Sequence, residues 1–178
     1  MHTKKSTNIT VTDVIIITTG GTIEKTYDEF DGSLENHGTS IKNRILSKLR
    51  LPYTNIHVEP LLSKDSLFMD DSDRELICKT IGQEAHKNAP IVVLHGTDTM
   101  AVTARYCFDE IKHLSIPVVF TGAMVPMGFD DTDATQNVTE ALLAAKLLKP
   151  GFYISFHNQI FTVPHVQKNK EKRTFEAI

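Results

Sequence analysis

Val14-Ile15-Ile16-Ile17-Thr18-Thr19-Gly20-Gly21-Thr22-Ile23 is the stretch whose reading decides the fold. Its short, unbroken apolar run reads as a strand buried on both faces, the pattern of a parallel sheet. The two glycines that follow permit a sharp turn at little steric cost. The hydroxyl of Thr22 comes directly after that turn. In an open α/β sheet, ligands and chemistry gather at the carboxyl ends of strands, so Thr22 is placed like a nucleophile.

The rest of the chain repeats the alternation. The pattern predicts a strand over 11–19 and a long loop over 20–38, rich in Asp, Glu, Gly and Asn. A helix follows on Ile41, Ile45, Leu46 and Leu49, capped by Thr39 or Ser40 and ended by Pro52. A strand over 56–62 comes next. Ser72 and Glu75 then form a capping-box pattern ahead of Leu76, Ile77 and Ile81. Further strands are expected over 91–94, 117–120 and 152–156, with helices over 99–113 and 134–148, and a polar remainder. Four βα units and a closing strand define an α/β fold: a three-layer, doubly wound, mostly parallel sheet of flavodoxin-like type, one domain over residues 1–178.

Composition limits the function classes. Of 178 residues, 40% are apolar and 23% charged, and the net charge is −3, as in an ordinary globular domain. Lys168-Asn169-Lys170-Glu171-Lys172-Arg173 is locally basic, but it contains an acid and no aromatic platform. It reads as a solvated tail or a site edge, and no nucleic-acid partner is expected. Cys78 and Cys107 fall in helical patterns without metal-ligand spacing and read as reduced core thiols. Lys4 and Lys5 precede no long apolar stretch, and the run at 14–17 is too short for a leader or a membrane span. A cytoplasmic protein with no membrane partner is expected.

Polar signatures follow four strands: Thr19-Gly20-Gly21-Thr22, Asp65-Ser66 with Met69, His95-Gly96-Thr97-Asp98-Thr99-Met100, and Thr121-Gly122-Ala123-Met124. They share one sheet edge and converge on one cleft. A Gly-Gly-Thr turn alone is an ordinary tight connection, and the joint occurrence makes it a site. A phosphate cradle lacks support, because the turn has neither a P-loop Lys-Ser/Thr ending nor a third fingerprint glycine. The eight histidines are scattered. His95 has no partner at ligand spacing and reads as a hydrogen-bonded strand-end residue, so neither metal nor cofactor is expected. Glu24 and Glu29 read as solvated loop carboxylates.

Thr19-Gly20-Gly21-Thr22-Ile23 and His95-Gly96-Thr97-Asp98-Thr99-Met100 resemble the two signature segments of bacterial-type L-asparaginases and glutaminase-asparaginases. Asp65-Ser66-Leu67-Phe68-Met69 is similar to their substrate-binding segment. Thr121-Gly122-Ala123-Met124 with Asp133 and Asn137 is similar to the next block, and Val166-Gln167-Lys168 to the segment that carries their catalytic lysine. The resemblance implies amide hydrolysis of L-asparagine, or a related small amide, to the acid and ammonia. It makes Thr22 the attacking residue and Thr97, Asp98 and Lys168 the second catalytic set. It places Tyr27 on a mobile loop and assigns substrate contacts to Asp65, Ser66, Gly96, Asp98 and Ala123. Within these, Ser66 takes the α-carboxylate, Asp98 the α-amino group, and Ala123 a backbone position near the leaving amide.

Most members of the family have a second domain, whose carboxylate from a neighbouring subunit helps hold the substrate amino group. The sequence resembles shorter members with the catalytic domain alone, and none of its residues can be assigned that carboxylate. Altered selectivity among L-asparagine, D-asparagine and glutamine is expected, as is a homodimer or higher homo-oligomer. A non-catalytic amino-acid-binding module is the competing reading. Thr22 and Lys168 weigh against it, since binding alone needs neither.

Overall fold

Successive strand residues point to opposite faces, and β1 (Thr12–Gly20) buries both. In the computed structural model, which describes residues 10–36 and 38–178, Ile15 and Ile17 face one side and Val14 and Ile16 the other. Lys4 and Lys5 lie outside the described residues. β5 (Ile91–Leu94) and β6 (Pro117–Thr121) alternate in the same way. Ile91, Val93, Val118 and Phe120 pack under α2 (Asp71–Ala85) and α3 (Met100–Glu110). Val92, Leu94 and Val119 pack under α1 (Ile41–Arg44) and α4 (Ala134–Leu147). These are the three expected layers.

β4 (Thr54–Lys64), β1, β5, β6 and β7 (Gly151–Phe156) lie side by side in that order, all parallel. Counted along the chain this is order 2-1-3-4-5, the flavodoxin-like arrangement, which reverses direction between β1 and β5. Helices leave to opposite sides there, and a crevice opens beyond the strand ends. The turn after β1 and the turn after β5 therefore flank the switch point.

Several local expectations are corrected. Residues 20–38 are not one loop. Thr22–Glu24 form a 3₁₀ turn, and β2 (Lys25–Tyr27) pairs antiparallel with β3 (Leu34–Asn36). The hairpin closes on Asp28, whose carboxylate accepts from Phe30 N–H, and on Gly32 at φ 74°. The helix expected over 41–49 is a single α-turn followed by a 3₁₀ turn, Leu46–Lys48. Ser40 occupies its N-cap without a side-chain bond, while Thr39 Oγ1 accepts from Ile41 N–H at 3.4 Å. The box that opens α2 is Asp70 with Asp73, two residues earlier than Ser72 and Glu75. The Asp70 carboxylate accepts from the N–H groups of Ser72 and Asp73, and Asp73 accepts from Asp70 N–H at 2.9 Å.

The polar remainder is also structured. β8 (Gln159–Thr162) runs antiparallel to β7 at the sheet edge, and β9 (Val166–Asn169) pairs with β10 (Thr174–Ala177). Val166 and Phe175 are buried in the core beneath α3. Lys168 therefore stands on an anchored hairpin and is not a solvated tail residue.

Glycine tolerance separates the turn from the helices. A Cβ on Gly21, at φ 81°, would collide with the Gly96 backbone, whereas one on Gly82 within α2 would meet nothing within 4 Å. Gly21→Ala should lower the unfolding free energy by about 2–4 kcal/mol through clash and backbone strain. Gly82→Ala should raise it by roughly 0.5–1 kcal/mol. Denaturant titration of both variants checks the contrast, and equal effects would refute it.

Candidate active site

The site is assembled where two backbones touch. Gly20 and Gly21 have φ of 92° and 81°, conformations that side chains rarely adopt. A Cβ on Gly20 would stand 2.6 Å from Lys64 O, and Gly21 packs directly on Gly96. Gly21 N–H is fixed by Lys64 O at 3.0 Å, and His95 N–H by Thr121 O at 2.9 Å. Thr22 and Thr97 each follow this contact by one residue. Thr22 is half-buried at the start of its 3₁₀ turn, and its carbonyl accepts from Lys25 N–H.

Thr97 is 3% exposed. Its Oγ1 accepts from Lys168 Nζ at 2.7 Å and donates toward Met124 Sδ at 3.7 Å. The same ammonium donates to Asp98 Oδ1 at 2.9 Å. The Lys168 side chain is 15% exposed and that of Asp98 30%, so the pair sits at the edge of the interior with one face open to a ligand. β9 carries this lysine across to the α3 N-terminus.

Ser66 lies on the third side. Its hydroxyl presses against Gly96, so closely that a Cβ there would overlap it. It is buried and has no hydrogen-bond partner among the described residues, which is costly unless a ligand completes it. Thr99 Oγ1 donates to Ser66 O at 2.9 Å and ties this turn to the Thr97 loop. Asp65 is engaged structurally: Oδ1 accepts from Leu67 N–H at 3.0 Å and Oδ2 from Lys25 Nζ at 2.6 Å. Burial alone would raise its pKa, but these donors hold it below the usual carboxylate value.

Ala123 is buried on the fourth side. Asp133 accepts from the N–H groups of Met124 and Val125, each at 3.0 Å, and from His157 Nε2 at 2.8 Å. Burial works to raise Asp133, and those donors outweigh it and lower the pKa. Asn137 Nδ2 donates to Gly122 O and to Asp133. The peptides flanking Ala123 are thus fixed from α4 and from the β7–β8 turn. His95 is fully buried, with Nδ1 bonded to Gly96 O at 2.8 Å. Desolvation, first, and nearby Arg74 depress its pKa to about 4 against that bond, so the ring is neutral. Among the described residues no group of three or more His, Cys, Asp or Glu could hold a metal ion.

The structure therefore gathers Ser66, Gly96, Thr97, Asp98 and Lys168 about the Gly21–Gly96 contact, with Thr22 one residue beyond it, the Ala123 segment joined through Met124, and Asp65 beside Ser66. It does not bring Tyr27 there. Tyr27 is 60% exposed on β2 and lines a separate 580 Å³ cleft with Lys25, Arg44 and Phe129. Sequence reasoning misses Lys25, which nothing local marks, quotes Met124 in its strand-end motif without giving it a role, and misreads Glu24. That residue is 1% exposed, not solvated, and its Oε2 accepts from Gly20 N–H at 3.1 Å. Burial raises its pKa to about 7, opposed by Thr39 and the Gly20 N–H.

In an open doubly wound sheet the switch point is where ligands bind, and here it carries hydroxyls, an ion pair and a buried serine. Residues 13–178 match the family model described as Asparaginase, N-terminal. The chain belongs to the asparaginase family. It is 29% identical over 155 residues to an L-asparaginase of Thermococcus kodakarensis, covering 87% of this chain and 47% of that one. It is 36% identical over 113 residues to a 60 kDa lysophospholipase of Mus musculus, covering 63% and 20%. The solved structure of the thermostable L-asparaginase from Thermococcus kodakarensis superposes with a TM-score of 0.84 at 28% identity, over 93% of this chain and 51% of that one. The chain thus spans between about a fifth and about a half of the length of these relatives. No helix among the described residues is long and apolar enough to cross a membrane.

Glu24 makes a stability prediction. A carboxyl raised from 4.5 to about 7 in the fold favours folding when protonated, and that advantage is lost as pH rises from 4.5 through about 7. Glu24→Gln keeps an acceptor for Gly20 without the charge. Its stability relative to wild type should therefore climb across that window, by at most about 3–4 kcal/mol. Urea titrations at a series of pH values measure it, and a pH-independent difference would contradict the burial argument.

Proposed function

We propose that this domain hydrolyses the side-chain amide of L-asparagine, or of a closely related small amide, with Thr22 as nucleophile. The observation that carries the reading is the Lys168 ammonium bridging Thr97 Oγ1 and Asp98 Oδ1 beside the turn that bears Thr22. Simple binding of an amino acid does not require a hydroxyl and a lysine in that relation. Membership of the asparaginase family supports the same chemistry.

In this mechanism Lys168 first gives up one ammonium proton, toward Asp98 or solvent; Thr22 Oγ1 then attacks the amide carbon and its proton passes to the Lys168 amine through Thr97 Oγ1, the activation that an alkyl hydroxyl needs. Backbone N–H groups near Thr22 and Thr97 stabilise the oxyanion, a contribution worth about 10²–10³ in rate per donor. Collapse breaks the C–N bond, and the nitrogen leaves as ammonia with the returned proton. Water then cleaves the acyl-threonine ester, releases the acid and restores the hydroxyl. The unpartnered Ser66 Oγ donates to the substrate α-carboxylate, and the second oxygen of Asp98 receives the α-amino group.

Ammonia release from L-asparagine, D-asparagine and L-glutamine tests the proposal. At least one amide should be turned over by wild type. Thr22→Ala should lower kcat by on the order of 10³-fold or more. Lys168→Met should abolish turnover and leave binding measurable. Unchanged release by the Thr22 variant would remove the nucleophile assignment. Binding without release from any amide would favour an amino-acid-binding module.

A further inference from the structure

We propose that Glu24 is a positioning residue for Thr22: its buried carboxyl grips the Gly20 N–H and fixes the turn that carries the hydroxyl. The inference deepens the reading of Thr22 as nucleophile and rests on it. Glycines at 20 and 21 allow the turn but do not hold it, because neither has a side chain to lock. Lys64 O holds the Gly21 N–H from the neighbouring strand at 3.0 Å, and Glu24 holds the turn from within. Its Oε2 accepts from Gly20 N–H at 3.1 Å while its own N–H donates to Gly21 O at 3.2 Å. The carboxyl and backbone of one residue therefore clamp both glycines, with Thr22 between. Ile23, fully buried, fixes the far side through its carbonyl, which accepts from Met127 N–H at 3.1 Å.

The clamp is chemically unusual. Glu24 is 1% exposed, and its Oε1 is buried with no hydrogen-bond partner among the described residues. The Thr39 hydroxyl, which accepts from Ile41 N–H at 3.4 Å, is near enough to work against the rise of the Glu24 pKa, but burial outweighs it. Of the lysines next to this turn in sequence and in the sheet, Lys25 is paired with Asp65 and Lys64 with Asp73. Leaving a carboxyl this buried and this sparsely bonded is destabilising, and packing alone would be served by an apolar side chain. Its protonation near neutrality then couples to the clamp, because an ionised carboxylate is the stronger acceptor for Gly20 N–H. The turn is held more firmly as pH rises through about 7.

The test compares wild type, Glu24→Gln and Glu24→Ala between about pH 5.5 and pH 9, following kcat and KM for amide hydrolysis. The Gly20 and Thr22 amide resonances are followed in parallel by ¹⁵N–¹H NMR. Glu24→Ala should lower kcat on the order of tenfold with little change in KM, and shift the Thr22 resonance. Glu24→Gln, which keeps an acceptor, should recover most of kcat and lose the rise in kcat near neutrality. The Gly20 resonance should titrate with that same midpoint in wild type and stay flat in Glu24→Gln. Wild-type kcat in Glu24→Ala, or a Gly20 resonance that does not titrate, would overturn the proposal. If wild type releases no ammonia from any amide, the hydrolase reading fails, and the two resonances alone decide whether Glu24 sets the turn. If Glu24→Ala does not fold, the Glu24→Gln titration decides it.

Discussion

The contact between Gly21 and Gly96 is the constraint on which the rest of the site depends. The two residues belong to turns far apart in sequence, and their backbones touch with no room for a side chain on Gly21. That approach is possible because β1 and β5 are neighbours in the sheet and their pairing ends with Thr18 opposite Leu94, just before the two turns. Each turn then presents its threonine one residue later, so two hydroxyls from separate βα units flank one crevice. The third wall follows from the same contact, since Ser66 also packs against Gly96. Remove the close approach and the three groups have no common reference.

Around that point the fold devotes polar interactions to orientation. Lys25 holds Asp65 and so the Ser66 turn, Asp133 and Asn137 hold the peptides around Ala123, and Thr99 joins two loops through Ser66 O. Few of these bonds need to add net stability. Their effect is to leave few alternatives for the groups that face the crevice, which is how a site is preorganised before substrate arrives. The hydrophobic layers supply the cohesion. Ile15, Ile17, Val93 and Phe120 on one face and Val14, Ile16, Leu94 and Val119 on the other leave no sheet surface unpaired at the strands that matter.

The sheet and the strand-end positions are legible in the sequence because their signals are local and strong. Runs such as Val14-Ile15-Ile16-Ile17 and Ile91-Val92-Val93-Leu94 admit little but a strand buried on both faces, and glycine after such a run marks a turn. The C-terminal strands are illegible for the opposite reason. Gln159, Thr162, Gln167 and Asn169 give β8 and β9 a polar composition, and only the distant burial of Val166 and Phe175 makes them structured. Lys168 is reachable only through resemblance, since nothing near it announces that a hairpin carries it back to Thr97. The box on α2 is easily misplaced because Asp70, Ser72 and Asp73 all offer capping oxygens, and geometry chooses the pair with reciprocal bonds. Glu24 is misread because charge ordinarily means solvent. That exception lies beside the residue with the largest proposed chemical role, where departures from local rules are expected.

The most direct measurement of the central claim, that the glycine contact makes Thr22 the attacking group, is covalent capture. A diazoketone analogue of asparagine loses dinitrogen and alkylates the oxygen that attacks it. The account predicts one equivalent bound per chain, recovered by peptide mass spectrometry on Thr22, and protected by aspartate. Modification at Thr97 or another residue with Thr22 untouched would contradict it.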